Sequence, residues 1–256
     1  MKLLAFETST EACSVALWRD GEVVERFGIA PRRHAELALP WAEALLAEAG
    51  VARTQLDAIA VGRGPGAFTG VRLGVAIAQG IALALDIPVL PVSTLLALAA
   101  RAPAPAQRVL AAIDARMGEV YLGAFAREDG GDGWRALRAE SLGAPGSIAL
   151  PEGDGWLGVG TGFDAVDGAL RARLGERLAQ VDATALPHAA DVARIGAMMF
   201  ARGEAIAPER LEPAYLRDNV ALTLAEQASA AAKKASTSDS ERVAGNGGSD
   251  SRNTRP

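Results

Sequence analysis

Along the first third of the chain, short apolar blocks alternate with polar ones. "LLAFET" reads as a buried strand and "CSVALW" and "EVVERF" as two more, with Asp20-Gly21 between the last two favouring a two-residue hairpin turn. These segments predict a three-stranded meander. The period then lengthens: Leu37, Trp41, Leu45 and Leu46 recur at helical spacing, which predicts a helix over residues 34–49 with Gly50 ending it. "LDAIAVG" comes next as a strand, then a glycine-rich loop, a helix over residues 69–85, and the strand "PVLPV" opened by Pro88. The first half therefore reads strand, strand, strand, helix, strand, helix, strand.

The second half begins in the same way. "RVLAAIDARMGEVYLGAF" repeats the plan of "KLLAFETSTEACSVALW", an apolar strand ending in an acid, Asp114 against Glu7, then a tight turn and another strand. Such a repeat suggests two related lobes, although any hairpin of this type would read alike. The Ala- and Pro-rich "RAPAPAQ" makes a short stiff linker between them. Further on, "WLGVGTG" predicts a strand running into a glycine turn, Ala189–Ala201 a helix, and residues 130–155 a loop-rich stretch. The expected organisation is a first lobe over residues 1–100, a second over 108–224, and a tail over 225–256. The Ser, Gly, Asp, Asn and Lys content of that tail cannot repay the entropy of ordering.

Composition narrows the functional classes. A chain of 256 residues, half of them hydrophobic, buries one large core or two smaller ones around a cleft. The net charge of −5 argues against nucleic-acid binding through a broad basic surface of its own, so any RNA contact is expected to be shared with a partner. The single cysteine, Cys13, excludes an internal disulfide, and two histidines, His34 and His188, supply no metal cluster of usual spacing. The apolar run before Glu7 is too short for a signal-peptide core, and no apolar run approaches about 20 unbroken residues. A cytoplasmic protein without a membrane partner is expected.

The candidate chemistry concentrates in "VGRGPGAFTGVRLG", residues 61–74, where glycines and a proline run into a helix. It lacks the lysine of a Walker loop, and Pro65 interrupts the dinucleotide spacing formed by Gly62, Gly64 and Ala67. Two readings remain. One is an anion site at a helix start, with Thr69 as N-cap and Arg72 one turn inside; the other is a tight turn whose glycines permit close backbone approach.

"FETSTEACSVALWRDG", "GRGPGAFTGVRLGVAIAQGIAL", "PVSTLLALA", "AAIDARMGEVY" and "EPAYLRDNVA" together resemble the signature segments of the bacterial TsaB (YeaZ) family, over about residues 1–220. The resemblance implies an α/β chain with two lobes of the actin/Hsp70-like, ribonuclease H-like fold, mixed sheets flanked by helices. It also implies a role in forming threonylcarbamoyladenosine beside the anticodon of tRNAs that read codons beginning with A. Members act as the dimerisation subunit of a catalytic relative, TsaD, while TsaC makes the activated adenylate and the ATPase TsaE completes the set. They meet tRNA only through the complex, and a homodimer of the isolated chain would stand in for the heterodimer. The metal-binding histidine pair of the catalytic relative falls here on Thr94 and Leu98. Leu98 cannot ligate iron or zinc and a lone threonine hydroxyl is a poor ligand, so no metal and no catalytic residue is expected in this chain. Two histidines so far apart in sequence also give no protease constellation, and His34 in "PRRHAEL" reads as an exposed helix start.

In the implied fold phosphates lie between two turns. The candidates by position are Glu7, Thr8, Ser9 and Thr10 on one side and Gly64, Pro65 and Gly66 on the other, with Glu7 or Asp114 able to hold magnesium through water. Hairpin turns use the same residue types for their own hydrogen bonds, so no cofactor, or a weak or vestigial ATP/ADP-magnesium site, is expected. "TGVRLGVAIAQGIALALD" has no charge between Arg72 and Asp86 and is small and apolar on nearly every face. One face is expected on the core and the other at a subunit seam with the preceding helix, using Leu37, Trp41, Leu45, Arg72, Val75, Ala76, Gln79, Gly80, Leu83 and Ala84. The alternative function is an independent nucleotide phosphohydrolase or kinase; a metalloprotease ranks behind both.

Overall fold

The computed structural model of the protein describes residues 1–103, 106–128 and 133–217. The expected tail, 225–256, lies outside the described residues. Residues Met1–Leu216 form one compact unit by their contacts.

The first half folds in the predicted order. Strands β1 (Lys2–Glu7), β2 (Ala12–Arg19) and β3 (Glu22–Ile29) form the meander, joined at the second turn by Asp20 and Gly21, both at positive φ. Helix α1 (His34–Glu48), strand β4 (Ala58–Gly62), helix α2 (Phe68–Leu85) and strand β5 (Val89–Val92) come next. The sheet order is β3-β2-β1-β4-β5, antiparallel through the meander and parallel from β1 to β4 to β5. Because side chains alternate along β1, Leu4 and Phe6 join a core with α1 and α2, while Leu3 and Ala5 join a second core on the opposite face.

Short helix α3 (Thr94–Ala99) leads to the second half: β6 (Arg108–Arg116), β7 (Glu119–Arg127), β8 (Trp134–Ala136), β9 (Ser141–Gly143), β10 (Trp156–Val159), α4 (Ala165–Leu174) and β11 (Leu178–Asp182). The stretch expected to be loop-rich thus holds β8 and β9, three-residue strands too short to show a period. The path β8-β7-β6-β10-β11 repeats the first sheet: antiparallel from β6 to β7 to β8, parallel from β6 to β10 to β11, with β9 also on β7. Along β6, Val109 and Ala111 face α3, whereas Leu110 and Ala112 pack with Phe163, Leu170 and Leu174.

Helix α5 (Ala189–Ala201) then crosses back to cover the open face of the first sheet, where a Cβ at Gly196 would crowd Ala60. Two mixed sheets of this order, each flanked by helices, make the actin/Hsp70-like, ribonuclease H-like arrangement.

Candidate functional site

Glu7, at the end of β1, is the centre of the site. Its carboxylate is 1% exposed and accepts from Ser9 N–H at 2.7 Å, from the Ser9 hydroxyl, and from Thr94 Oγ1 at 3.3 Å. Burial pushes its pKa above the usual carboxylate value, outweighing these bonds. Burial, with the nearby Glu7 charge, also pushes the Cys13 thiol up to about 11. Thr94 Oγ1 accepts from Gly64 N–H at 3.2 Å and sits 3.0 Å from Ser9 Oγ, so one threonine joins β1, the glycine loop and α3.

The glycines allow the loop to lie directly on the turn after β1. A Cβ at Gly62 would strike the Glu7 carboxylate, one at Gly66 would strike Ser9 O, and one at Gly70 would strike Thr8 O. Ala67 N–H donates to Ser9 O at 2.7 Å and Thr8 Oγ1 donates to Gly70 O at 2.8 Å. Of the two readings left open by the sequence, this geometry is close backbone approach. The expected N-cap is corrected: α2 starts at Phe68 with Ala67 as its cap and no side-chain capping bond, which places Thr69 inside the first turn.

Thus of the expected pairs Ser9 meets Gly66 directly and Gly64 is linked to Glu7 and Ser9 only through Thr94, while Glu7 and Thr8 meet Gly62 and Gly70 instead; Thr10 and Pro65 are buried. Asp114 makes its bonds elsewhere: it pairs with Arg116 at 2.6 Å, and its N–H donates to Thr161 Oγ1 at 3.2 Å. The donor set does not fit a metal. Leu98 is a fully buried member of the apolar core, Thr94 is engaged as described, and no group of three or more His, Cys, Asp or Glu side chains among the described residues could hold an ion. The backbone N–H groups of Gly64 and Ala67 are likewise already used, which is a poor fit for a phosphate.

His34 departs from expectation. It is buried at 9% exposure, with Nε2 at 3.0 Å from Thr10 O and 3.1 Å from Ala12 O. Both neighbours are acceptors, so Nε2 carries the proton and ties the start of α1 to the turn after β1. Its polarity gave no hint of this, because the acceptors are backbone groups 22 and 24 residues away.

The expected seam divides into surface and core. Arg72, Ala76, Gly80, Leu83 and Ala84 share the exposed face of α2, and Leu37 and Trp41 on α1 are half-buried. Leu45 and Val75 are corrected: both lie in this chain's own core and have no surface to offer. Gln79 is turned inward, donating to Pro208 O and Leu211 O at 3.1 and 3.0 Å. By length and composition alone α2 is apolar enough to cross a membrane, with a mean hydropathy of 1.6, yet one side of it lies on the sheet. Sequence reasoning missed Phe68 and Tyr215, which extend the exposed face. The Arg72 guanidinium lies 3.7 Å from the Phe68 ring centre, and its Nε donates to Tyr215 Oη at 2.6 Å.

Comparison with known proteins agrees with this architecture. The family model described as "TsaD: tRNA N6-adenosine threonylcarbamoyltransferase" matches residues 23–225. The tRNA threonylcarbamoyladenosine biosynthesis protein TsaB of Escherichia coli is 44% identical over 231 residues, covering 86% of this chain and 96% of its own. The protein of the same name from Haemophilus influenzae is 40% identical over 229 residues, covering 86% and 95%. Among solved structures, YeaZ from Pseudomonas aeruginosa superposes with a TM-score of 0.78 at 45% identity, covering 84% of this chain and 99% of that one.

Proposed function

The chain belongs to the TsaB family of tRNA threonylcarbamoyladenosine biosynthesis proteins, and from that premise we propose that it serves this pathway as a non-catalytic subunit in the cytoplasm. Its partner is a catalytic threonylcarbamoyltransferase of the TsaD type, with a TsaE-type ATPase joining the complex and tRNA bound only through it. The observation that carries this reading is the exposed face of α2. There Ala76, Gly80, Leu83 and Ala84 leave a stripe of small and aliphatic groups in water, Leu83 at 52% exposure, and the one charge, Arg72, is held against Phe68 and Tyr215. Small residues four apart let a second helix approach closely, and burying such a stripe favours association.

Two features support the absence of chemistry in this subunit. The positions that would carry the metal-binding histidines are Thr94 and Leu98, both built into the interior. The N–H groups of Gly64 and Ala67 in the glycine loop are spent on Thr94 and Ser9 of the chain itself, so we assign it no ATP cofactor; its service is to hold the start of α2 against the turn after β1.

The test is reconstitution of threonylcarbamoyl transfer to a cognate tRNA from purified components, with wild-type chain, without it, and with Gly80→Arg. A Cβ at Gly80 meets nothing within 4 Å, so the variant is expected to fold, while a charged side chain on the stripe is expected to block a close partner. Modification is expected only with the wild-type chain, and association with the catalytic partner is expected to weaken at least about 100-fold in the variant. Equal modification without the chain, together with ATP turnover by the isolated protein, would overturn the proposal.

A further inference from the structure

A pocket of about 270 Å³ opens between the edge strand β3 and the segment joining β11 to α5, on residues that neither the glycine loop nor the α2 face uses. Its apolar wall is Phe27, Ile29 and Leu186, and its polar groups are Arg101, Asp182 and His188. Each polar group is fixed from behind by a contact that leaves another side of it free.

The His188 ring stacks on Phe27 with centroids 4.0 Å apart and planes within 2°, and its Nδ1 lies 2.9 Å from Glu25 Oε2. Burial opposes ionisation of Glu25, but bonds from His188, Ser14 Oγ and Ala190 N–H outweigh it and hold the carboxyl below its usual range. A carboxylate only accepts, so Nδ1 is the donor, and Nε2 has no hydrogen-bond partner among the described residues. Asp182 is set in the same manner. Its Oδ1 accepts from Thr184 N–H, Thr184 Oγ1 and Ala185 N–H at 2.9, 2.7 and 3.1 Å; Oδ2 has no hydrogen-bond partner among the described residues, and these bonds, led by the Thr184 hydroxyl, together with the Arg101 charge hold the carboxyl below its usual range. Arg101 reaches Asp191 Oδ2 at 3.4 Å with one nitrogen, while Asp191 is also held by Arg194 at 2.9 Å. The remaining guanidinium N–H groups have no hydrogen-bond acceptor among the described residues.

A ligand that satisfies this arrangement needs an anionic end for Arg101, a cationic end for Asp182 and His188 Nε2, and an apolar body for Phe27, Ile29 and Leu186. The volume falls just below the usual small-molecule range of about 300–1,000 Å³, which selects a compound of amino-acid size over a nucleotide. A simple anion is disfavoured because Asp182 and Glu25 stand beside Arg101 and His188; a simple amine is disfavoured by Arg101. We propose that this pocket binds a free α-amino acid with an aliphatic side chain, as the zwitterion. The assignment is independent of the partner-subunit reading.

The experiment is calorimetric titration of the full chain with L-leucine and L-valine, and with the N-acetyl and the amide derivatives of whichever binds. Saturable binding is expected at millimolar concentration or below, with each derivative at least about tenfold weaker because it loses one charged contact. Asp182→Asn keeps an oxygen for the turn and is expected to weaken the parent amino acid about tenfold, with no effect on the amide-to-parent ratio. Should that variant not fold, the derivatives on the wild-type chain still decide the matter. No saturable binding of either amino acid, or equal affinity for the N-acetyl form, would overturn the proposal.

Discussion

Glu7 and Asp114 each lie at or near the end of the central strand of a sheet whose order and strand directions are the same in both halves, yet their surroundings differ. Glu7 is sealed at 1% exposure under the glycine loop, with neutral donors around it. The Asp114 side chain is 27% exposed and faces Arg116. In both halves a glycine at the end of the parallel neighbour or just after it presses onto the central strand: Gly62 against Glu7, and Gly160 against Ala112 O. Beyond those glycines the two halves diverge. The first half sends out an 18-residue helix with an apolar outer face. The second makes a short 3-10 turn and a ten-residue helix that carries Asp167, Arg171 and Arg173 and has positive φ at Val166, Asp167 and Gly168. One topology thus supports, in one half, a closed loop that launches a long helix with an apolar outer face and, in the other, a buried 3-10 turn that leads into a charged helix.

The largest test of that contrast is steric. Gly70→Val drives a side chain into Thr8 O and is expected to cost about 3 kcal/mol in urea unfolding. Gly146→Val in the second half, where a Cβ meets nothing within 4 Å, should stay within about 0.5 kcal/mol. Equal costs would show that the first loop is not packed as described. Next comes Thr94→Val, which orphans Gly64 N–H at a site with no exposure and should cost about 1–3 kcal/mol. Thr161→Val, beside the partly exposed Asp114 N–H, should cost under about 1 kcal/mol because water can replace the hydroxyl.

The pH dependence sharpens the comparison further. The folded state raises the Glu7 pKa above 4.5 and so holds its proton more tightly than the unfolded chain does. Stability from this group is therefore fully present below 4.5, falls as pH rises through the higher folded value, and stays reduced above it. Glu7→Gln should flatten that decline and exceed wild type in stability at neutral pH, read from denaturation midpoints across pH; an unchanged slope would place the dependence on another group. The smallest effect is expected from Asp114→Asn, within about 0–1 kcal/mol, since its partner Arg116 is mostly in water.

Much of the fold could be read from the sequence because its signals are local. The Asp20-Gly21 turn, the helical spacing of Leu37, Trp41 and Leu45, the limits of α5 and the resemblance between the two hairpins each lie within a few residues. Strands β8 and β9 were not legible, since three residues carry no period. At the site the segments were visible but their relations were not. Thr94 read as a lost metal ligand, whereas its structural role is to bridge Ser9 and Gly64 across long sequence separations. His34 read as exposed because a polar residue at a helix start usually is, and only the carbonyls of Thr10 and Ala12 make it a buried donor.

By itself, then, the sequence determined the element order of the first half, the motifs that mark the family and the apolar character of α2, because residue type and short-range pattern carry all three. Tertiary structure decided which side of α2 faces water, that Leu45 and Val75 belong to the core, and that the glycines serve backbone contact. It also brought Glu25 and His188, 163 residues apart, into one hydrogen bond. The reason is physical: burial and pairing of a polar group depend on atoms that the chain supplies from elsewhere, and those become neighbours only when both sheets and the helix that returns across them are in place.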